Sequence, residues 1–322
     1  MATTLLPPPE ALPDVLPTDR LLRSGKPTPE LRRIAGARNA VTVAVLWASI
    51  IGLLGLTVWL GNPLVYAATF VLMGSVFARL AILGHEAAHR LLFPSKRWND
   101  LVGRWLLSYP GFVPFEAYRR VHFAHHRDEF GPDEPDLGLY QGYPITRASW
   151  RRKLTRDASG QSGWKSLKPL LKAMLSKTAR PFASRIVGCQ VLLWAVSWAV
   201  TGRWWLYPLL WLGPWMTVWR VINRLRAIAE HGGMVRSDDR RLTTHHVRQT
   251  WPARFWMVPY NTGWHLAHHV DMGVPWRNLP RLHAELVASG WVTPDLEHPS
   301  YRAFWRACSS RVERPAPAPV GS

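Results

Sequence analysis

Apolar and polar residues along this chain are segregated into long blocks. Residues 41–60, VTVAVLWASIIGLLGLTVWL, carry no charge, and 64–84, LVYAATFVLMGSVFARLAILG, are interrupted only by Arg79. As helices rising about 1.5 Å per residue, both runs are long enough to cross a hydrocarbon layer about 30 Å thick. Two shorter runs, 186–202 and 204–222, lie back to back around Arg203, and the second contains Pro208 and Pro214. The pattern predicts an all-α integral membrane protein with four transmembrane helices in two hairpins. RWLLSYPGFVPF, 104–115, is apolar but too short to cross and is broken by prolines. It is expected to be re-entrant or interfacial.

Orientation follows from the cations. Six Lys or Arg precede the first run, Gly61-Asn62-Pro63 carries none, and Arg203 alone separates the later pair, whereas 90–185 and 223–248 are rich in arginine. The positive-inside rule then puts both termini, and everything after spans two and four, in the cytoplasm of a multi-pass cell (inner) membrane protein. The expected organisation is a disordered Pro-rich cytoplasmic arm over 1–38, one membrane domain over 39–312 and a flexible tail over 313–322. The arm, with PPPE, LPDVLP and KPTPE, lacks the apolar core of a cleaved signal.

Composition refines this picture. Of 322 residues 48% are hydrophobic and 19 are tryptophan, rich for a soluble protein. The net charge of +19 would suit nucleic acid. That partner is excluded because the basic residues flank the spans and no recognition motif accompanies them. Between 147 and 180, ten Lys or Arg face a single acid, Asp157, with Trp150, Trp164, Leu167 and Leu171 interleaved. This reads as an amphipathic layer on an anionic leaflet. Cys189 and Cys308 fall in remote segments, so no disulfide framework is implied.

The histidines carry the candidate chemistry. GHEAAHRLLF, 84–93, puts His85 and His89 one helical turn apart. VHFAHH supplies His122, His125 and His126, and WHLAHH supplies His265, His268 and His269. Spacing i, i+3, i+4 stacks three rings on one helix face. His-Glu-x-x-His alone would suit a zinc peptidase with Glu86 as general base. A catalytic zinc takes three protein ligands, however, which would leave most of the eight imidazoles without a role. Two first-row metals sharing eight or nine ligands account for all of them, and imidazole by itself does not choose among iron, zinc, copper and nickel. All three groups fall on one predicted side, in a helical cap.

The boxes HEAAH, HFAHH and HLAHH resemble those of the membrane fatty acid desaturase and hydroxylase superfamily. VPYNTGWHLAHH with VPWRNLPRLH, and the acidic stretch HRDEFGPDEPD, are similar to that family's flanking segments, from roughly Val41 to His283. The resemblance implies a ninth ligand, His231 in AEHGG, and two iron ions in a non-haem diiron centre. It implies O2-dependent removal of hydrogen from an unactivated methylene pair of a fatty acyl or lipid chain. Hydroxylation of a lipid, alkane or carotenoid is the alternative within the superfamily. No haem, flavin or nicotinamide signature is present, so an external donor, ferredoxin-type or similar, is expected. Ala267 stands where many relatives have glutamate, and Val270-Asp271-Met272 also departs from the family pattern.

Further expectations concern neighbours of the boxes. Metal-bound imidazoles usually donate their far N–H to a carboxylate or carbonyl, and Glu86, Asp128, Glu129, Asp133, Asp136, Glu230 and Asp271 are the candidate partners. His245 and His246 read as a surface loop and His298 as an ordinary residue, with His283 a candidate support for the ligands. Arg79 is expected to snorkel toward the head groups or pair with an acid. Aromatic and aliphatic residues of 101–118 and 251–264 are candidate walls of a substrate tunnel.

Overall fold

The computed structural model describes residues 5–13 and 30–311; the tail expected over 313–322 lies outside them. Among the described residues three helices are long and apolar enough to cross a membrane: α1 (Gly36–Leu60), α2 (Pro63–Ala88) and a later one, Arg180–Thr201. The Gly61-Asn62-Pro63 link closes the first hairpin by local chemistry. Gly61 caps α1 at φ 62°, and Asn62 accepts a hydrogen bond from the Leu64 N–H at the start of α2. Proline at the first helical position loses no N–H that the helix could use. Across the hairpin the Thr57 and Thr69 hydroxyls meet at 2.7 Å. The apolar window of α2 is 61% buried, against 22% for each of the other two long helices. It is the central post, and it carries the first histidine pair.

Beyond α2 the chain turns through α3 (Lys96–Val102) and one π-helical stretch, Gly103–Ser108, then reverses at Gly111 and Phe112 into α4 (Phe115–Arg127). Asn99 is fully buried and ties this corner together, donating to the Ala87 carbonyl at 2.8 Å and accepting from the Leu92 N–H at 3.1 Å. The 104–115 stretch is irregular, so its carbonyls need protein donors where water is scarce. Gln190 donates to the Tyr109 carbonyl at 2.6 Å, Trp211 to Pro110 at 3.2 Å and Trp215 to Gly111 at 3.0 Å. The residues that follow the second long link therefore satisfy the backbone of the first reversal.

The basic stretch forms α5 (Arg147–Ala158) and α6 (Gln161–Ala173), and α7 (Arg180–Thr201) is the third long helix. The fourth predicted span, 204–222, is not one helix. It runs as a π-helical turn, Pro208–Leu212, a short Gly213–Met216 turn and a kink at Thr217 (φ −120°, ψ −80°) before α8 (Val218–His231) begins. Pro208 and Pro214 each remove an N–H from the ladder, which accounts for the break. Gly74 lets α8 approach α2: a Cβ there would come within 2.3 Å of Val218.

A two-residue parallel bridge joins β1 (His246–Val247) to β2 (Glu297–His298), and the remaining helices are α9 (Trp251–Trp256), α10 (His265–Val270), α11 (Leu279–Ala288) and α12 (Tyr301–Cys308). The arm expected to be disordered is packed where it is described. Leu5, Ala11 and Leu31 are buried, and the Pro13 carbonyl accepts from Arg241 at 3.0 Å. Arg32 pairs with Asp271 at 2.6 Å, so a short apolar and ionic seam holds 5–13 and 30–35 against the layer that carries α10 and α11. Among the described residues Arg79 pairs with no acid; its guanidinium donates to the Ser75 and Phe255 carbonyls, both at 2.9 Å, and faces the Phe255 ring.

Candidate metal centre

All nine histidines singled out by spacing and resemblance are buried, and all nine meet. His85 stands in the last turn of α2 and His89 caps it; α4 brings His122, His125 and His126; α8 ends at His231; α10 brings His265, His268 and His269. Four segments remote in sequence thus converge at one end of the bundle.

They form two groups. In the first, one ring nitrogen each from His85, His89, His122, His126 and His268 lie within 4.8 Å of one another. His122 Nε2 is 2.8 Å from His89 Nε2 and 3.1 Å from His126 Nε2, which is 3.0 Å from His268 Nε2. In the second, His125, His231 and His269 meet the same 4.8 Å criterion, and His265 Nε2 lies 3.0 Å from both His231 Nε2 and His269 Nε2. His126 and His269 join the groups, with ring centroids 4.3 Å apart.

These spacings fit metal ions. Two nitrogens, each about 2.0–2.1 Å from one cation at an angle of about 90–110°, stand about 2.9–3.4 Å apart. Chains of Nε2 atoms facing one another have little reason to form otherwise, since neutral imidazole has one N–H and cannot satisfy several neighbouring rings. Burial drives His122, His126, His265, His268 and His269 well below the usual histidine range, and holds His231 at about 3. Neutral rings are the ligand form. His125 is the exception: burial pushes it down, but its hydrogen bond to Glu134 and the charge there carry it above the ordinary value.

The far nitrogens of three rings are held by protein, while those of His85 and His265 are buried without a hydrogen-bond partner among the described residues. His269 Nδ1 donates to Glu129 at 2.5 Å, and His231 Nδ1 to the Thr243 carbonyl at 2.8 Å. His125 Nδ1 donates to Glu134 at 2.5 Å, with the Tyr140 hydroxyl 3.2 Å away. Glu134 was not among the acids the sequence suggested. A turn with Phe130 at φ 59° folds the acidic stretch back, and the Phe130 N–H then bonds the second Glu134 oxygen at 2.5 Å. That turn, invisible in the order of residues, selects Glu134 over exposed Asp133. Glu134→Gln should lower metal affinity about 10–100-fold without unfolding the protein. Metal titration against a competing chelator measures it; unchanged affinity would leave Glu134 without that role.

The other candidate acids make no hydrogen bond to these rings, although the charge of Asp136 acts on His125. Asp128 pairs with Arg236 at 2.8 Å and Asp271 with Arg32, while Glu230 reaches only to 3.7 Å from His265 Nδ1. Glu86, which a peptidase would need as base, is buried and accepts the Trp276 N–H at 2.9 Å. His245 and His246 are not on a surface loop but buried. His245 Nε2 donates to the Gly232 carbonyl at 2.9 Å and its Nδ1 lies 3.2 Å from His298 Nε2. His246 stacks on His283 at 4.3 Å, and Trp264 covers both. This second layer backs the strand and turn that hold His231 and α10. Burial lowers His245 to about 3, so its ring is neutral too.

A cavity of about 170 Å³ opens beside His85. The predicted wall 101–118 contributes Leu107, Ser108, Gly111, Val113 and Tyr118, but 251–264 contributes nothing; α2 and α8 supply the rest.

A buried multi-histidine cluster able to hold metal thus stands at the end of a bundle whose three long helices are apolar enough to cross a membrane. The family model described as fatty acid desaturase matches residues 61–302, and the chain belongs to that family. It is therefore an oxidoreductase. Among curated relatives, the dihydrorhizobitoxine desaturase of Bradyrhizobium elkanii is 28% identical over 250 residues, covering 72% of this chain and 69% of its own. An sn-1 oleoyl-lipid 12-desaturase of a Picosynechococcus species is 25% identical over 252 residues, 67% of each chain. An sn-1 acyl-lipid omega-3 desaturase (ferredoxin) of a Nostoc species is 29% identical over 103 residues, 32% of this chain and 27% of its own.

Proposed function

We propose that this chain is an O2-dependent desaturase that removes hydrogen from an unactivated methylene pair of a fatty acyl or lipid substrate. The observation that carries the reading is the union of nine imidazoles in two groups joined through His126 and His269. His85, His89, His122, His126 and His268 would hold one iron, and His125, His231, His265 and His269 the other. Such a pair supplies reductive activation of O2 and abstraction of hydrogen from carbon. The chain's residues prepare that chemistry. Glu129, Glu134 and the Thr243 carbonyl keep the far N–H protons of three rings and so aim their other nitrogens. Burial favours the neutral form of the rings other than His125 and excludes bulk water. Tyr118, stacked on His122 at 5.4 Å, lines the cavity together with His85.

The metal end of the bundle belongs, in this reading, to the cytoplasmic side of a cell membrane with both termini there, where the flanking arginines favour it. The segment 204–217 then completes a fourth, broken crossing. Electrons come from a small acidic carrier of the ferredoxin type, suited to a basic surface; the Nostoc relative's name, with its ferredoxin, supports this.

The test is expression in a host without its own desaturases, together with a ferredoxin and its reductase, followed by lipid mass analysis. The expected product is lighter by two hydrogens. A product heavier by one oxygen would replace desaturation with hydroxylation, and unaltered lipids from metal-loaded protein would sink both.

A further inference from the structure

The cavity beside His85 has two unlike sides. Phe77, Leu80 and Leu107 form an apolar one, while α8 presents Arg220, Asn223 and Arg226 at three-residue intervals along the other. Its volume, about 170 Å³, is close to that of cavities that take one benzene-sized molecule, about 150 Å³. A long acyl chain cannot coil there; one end of a molecule, or a short segment, can.

The charges inside are unbalanced. Arg226 pairs with Glu230 at 3.3 Å, yet its Nε is buried with no hydrogen-bond partner. Arg220 lies against the Trp215 ring at 3.9 Å and gives its Nε to the Trp215 carbonyl at 3.2 Å. Among the described residues no carboxylate stands within ion-pair distance of Arg220. Of the two guanidinium groups that line the cavity, Arg226 alone has a carboxylate, Glu230, within ion-pair distance. A planar guanidinium fork matches carboxylate and phosphate, and charges withdrawn from water call for a partner.

We infer that this cavity is an anion-recognising subsite, in which Arg220 and Arg226 bind the carboxylate or phosphate end of an anionic amphiphile while its chain extends past His85. The substrate class is then an anionic amphiphile and not a neutral ester, amide or hydrocarbon. The step from ligand to substrate rests on the proposed desaturase reading; the binding itself does not.

The experiment uses the purified full chain in neutral detergent and measures displacement of a fluorescent dodecyl carboxylate by dodecanoate, dodecyl phosphate, methyl dodecanoate, dodecanol and inorganic phosphate. The two anionic amphiphiles should bind at least about tenfold more tightly than the neutral pair, as expected for hydrogen bonds to charged groups. Arg220→Gln should remove most of that preference with metal content unchanged, and Arg220→Lys, which keeps charge but not the fork, should retain part of it. Arg226→Gln should act in the same direction. Tighter dodecanoate would point to a fatty carboxylate and tighter dodecyl phosphate to a lipid head group, and either supports the subsite. Equal binding of methyl dodecanoate, an anion preference surviving both glutamine variants, or inorganic phosphate binding as tightly as dodecyl phosphate would overturn it. Anion-selective binding without any oxidised product would instead count against the desaturase reading and leave the subsite standing.

Discussion

His126→Ala should strip metal from both halves of the site, whereas His89→Ala should empty only one. His126 Nε2 lies 3.1 Å from His122 Nε2 and 3.0 Å from His268 Nε2, and its ring centroid is 4.3 Å from that of His269 in the other group. It also shares a set of close ligand atoms with Glu129 and His269. His89, by contrast, meets only rings of the first group through its nitrogen. Elemental analysis per chain should give about two irons in the wild type, about one in His89→Ala and fewer than one in His126→Ala, on the ligand assignment by geometry. Product formation should fall to background in both variants, because the proposed chemistry needs the pair. His245→Ala is the control: it lies outside both groups and should keep its iron. Full iron in His126→Ala would break the bridge between the groups and with it the two-metal reading.

What the chain discloses in advance, and what it conceals, follows from the range of the forces involved. The spacing of HFAHH and HLAHH is local, and α4 and α10 do put each triplet on one face; the rings then meet across four segments. The first three apolar runs are equally local and become α1, α2 and α7. The fourth fails as a single helix at two prolines whose effect on the ladder is visible but whose outcome depends on packing around Thr217. Glu134 escapes because its reach depends on a turn, and His245 and His246 escape because their burial is made by β2, fifty residues later in the chain. The arm is the clearest case. Its prolines argue for disorder, yet Ala11 and Leu31 find buried sites that α10, α11 and the residues around Trp291 create, and Leu5 finds one beside Gly233.

The one acid of the basic stretch should be the most costly single residue to remove outside the histidines. Asp157 is fully buried although ten cations surround it in sequence. It accepts two hydrogen bonds from Arg224 of α8, one of them 3.0 Å from Nη2, and another from the Ser162 hydroxyl. The basic layer of α5 and α6 is thereby fastened to the helix that ends in His231 and lines the anion cavity. Asp157→Ala would leave Arg224, 9% exposed, without its carboxylate, Tyr143 being a neutral partner only; breaking a buried pair in this way costs about 3–5 kcal/mol. Against a total stability of about 5–15 kcal/mol, that should lower the unfolding midpoint of the full chain in detergent by about 10 °C. Asp157→Asn, which keeps an acceptor, should lose less. Adding Arg224→Met to Asp157→Ala should recover part of the loss, because an uncharged pair needs no compensation. An Asp157→Ala protein that unfolds at the wild-type temperature would mean that water or lipid reaches Arg224, and that the basic layer sits on α8 without being held by it.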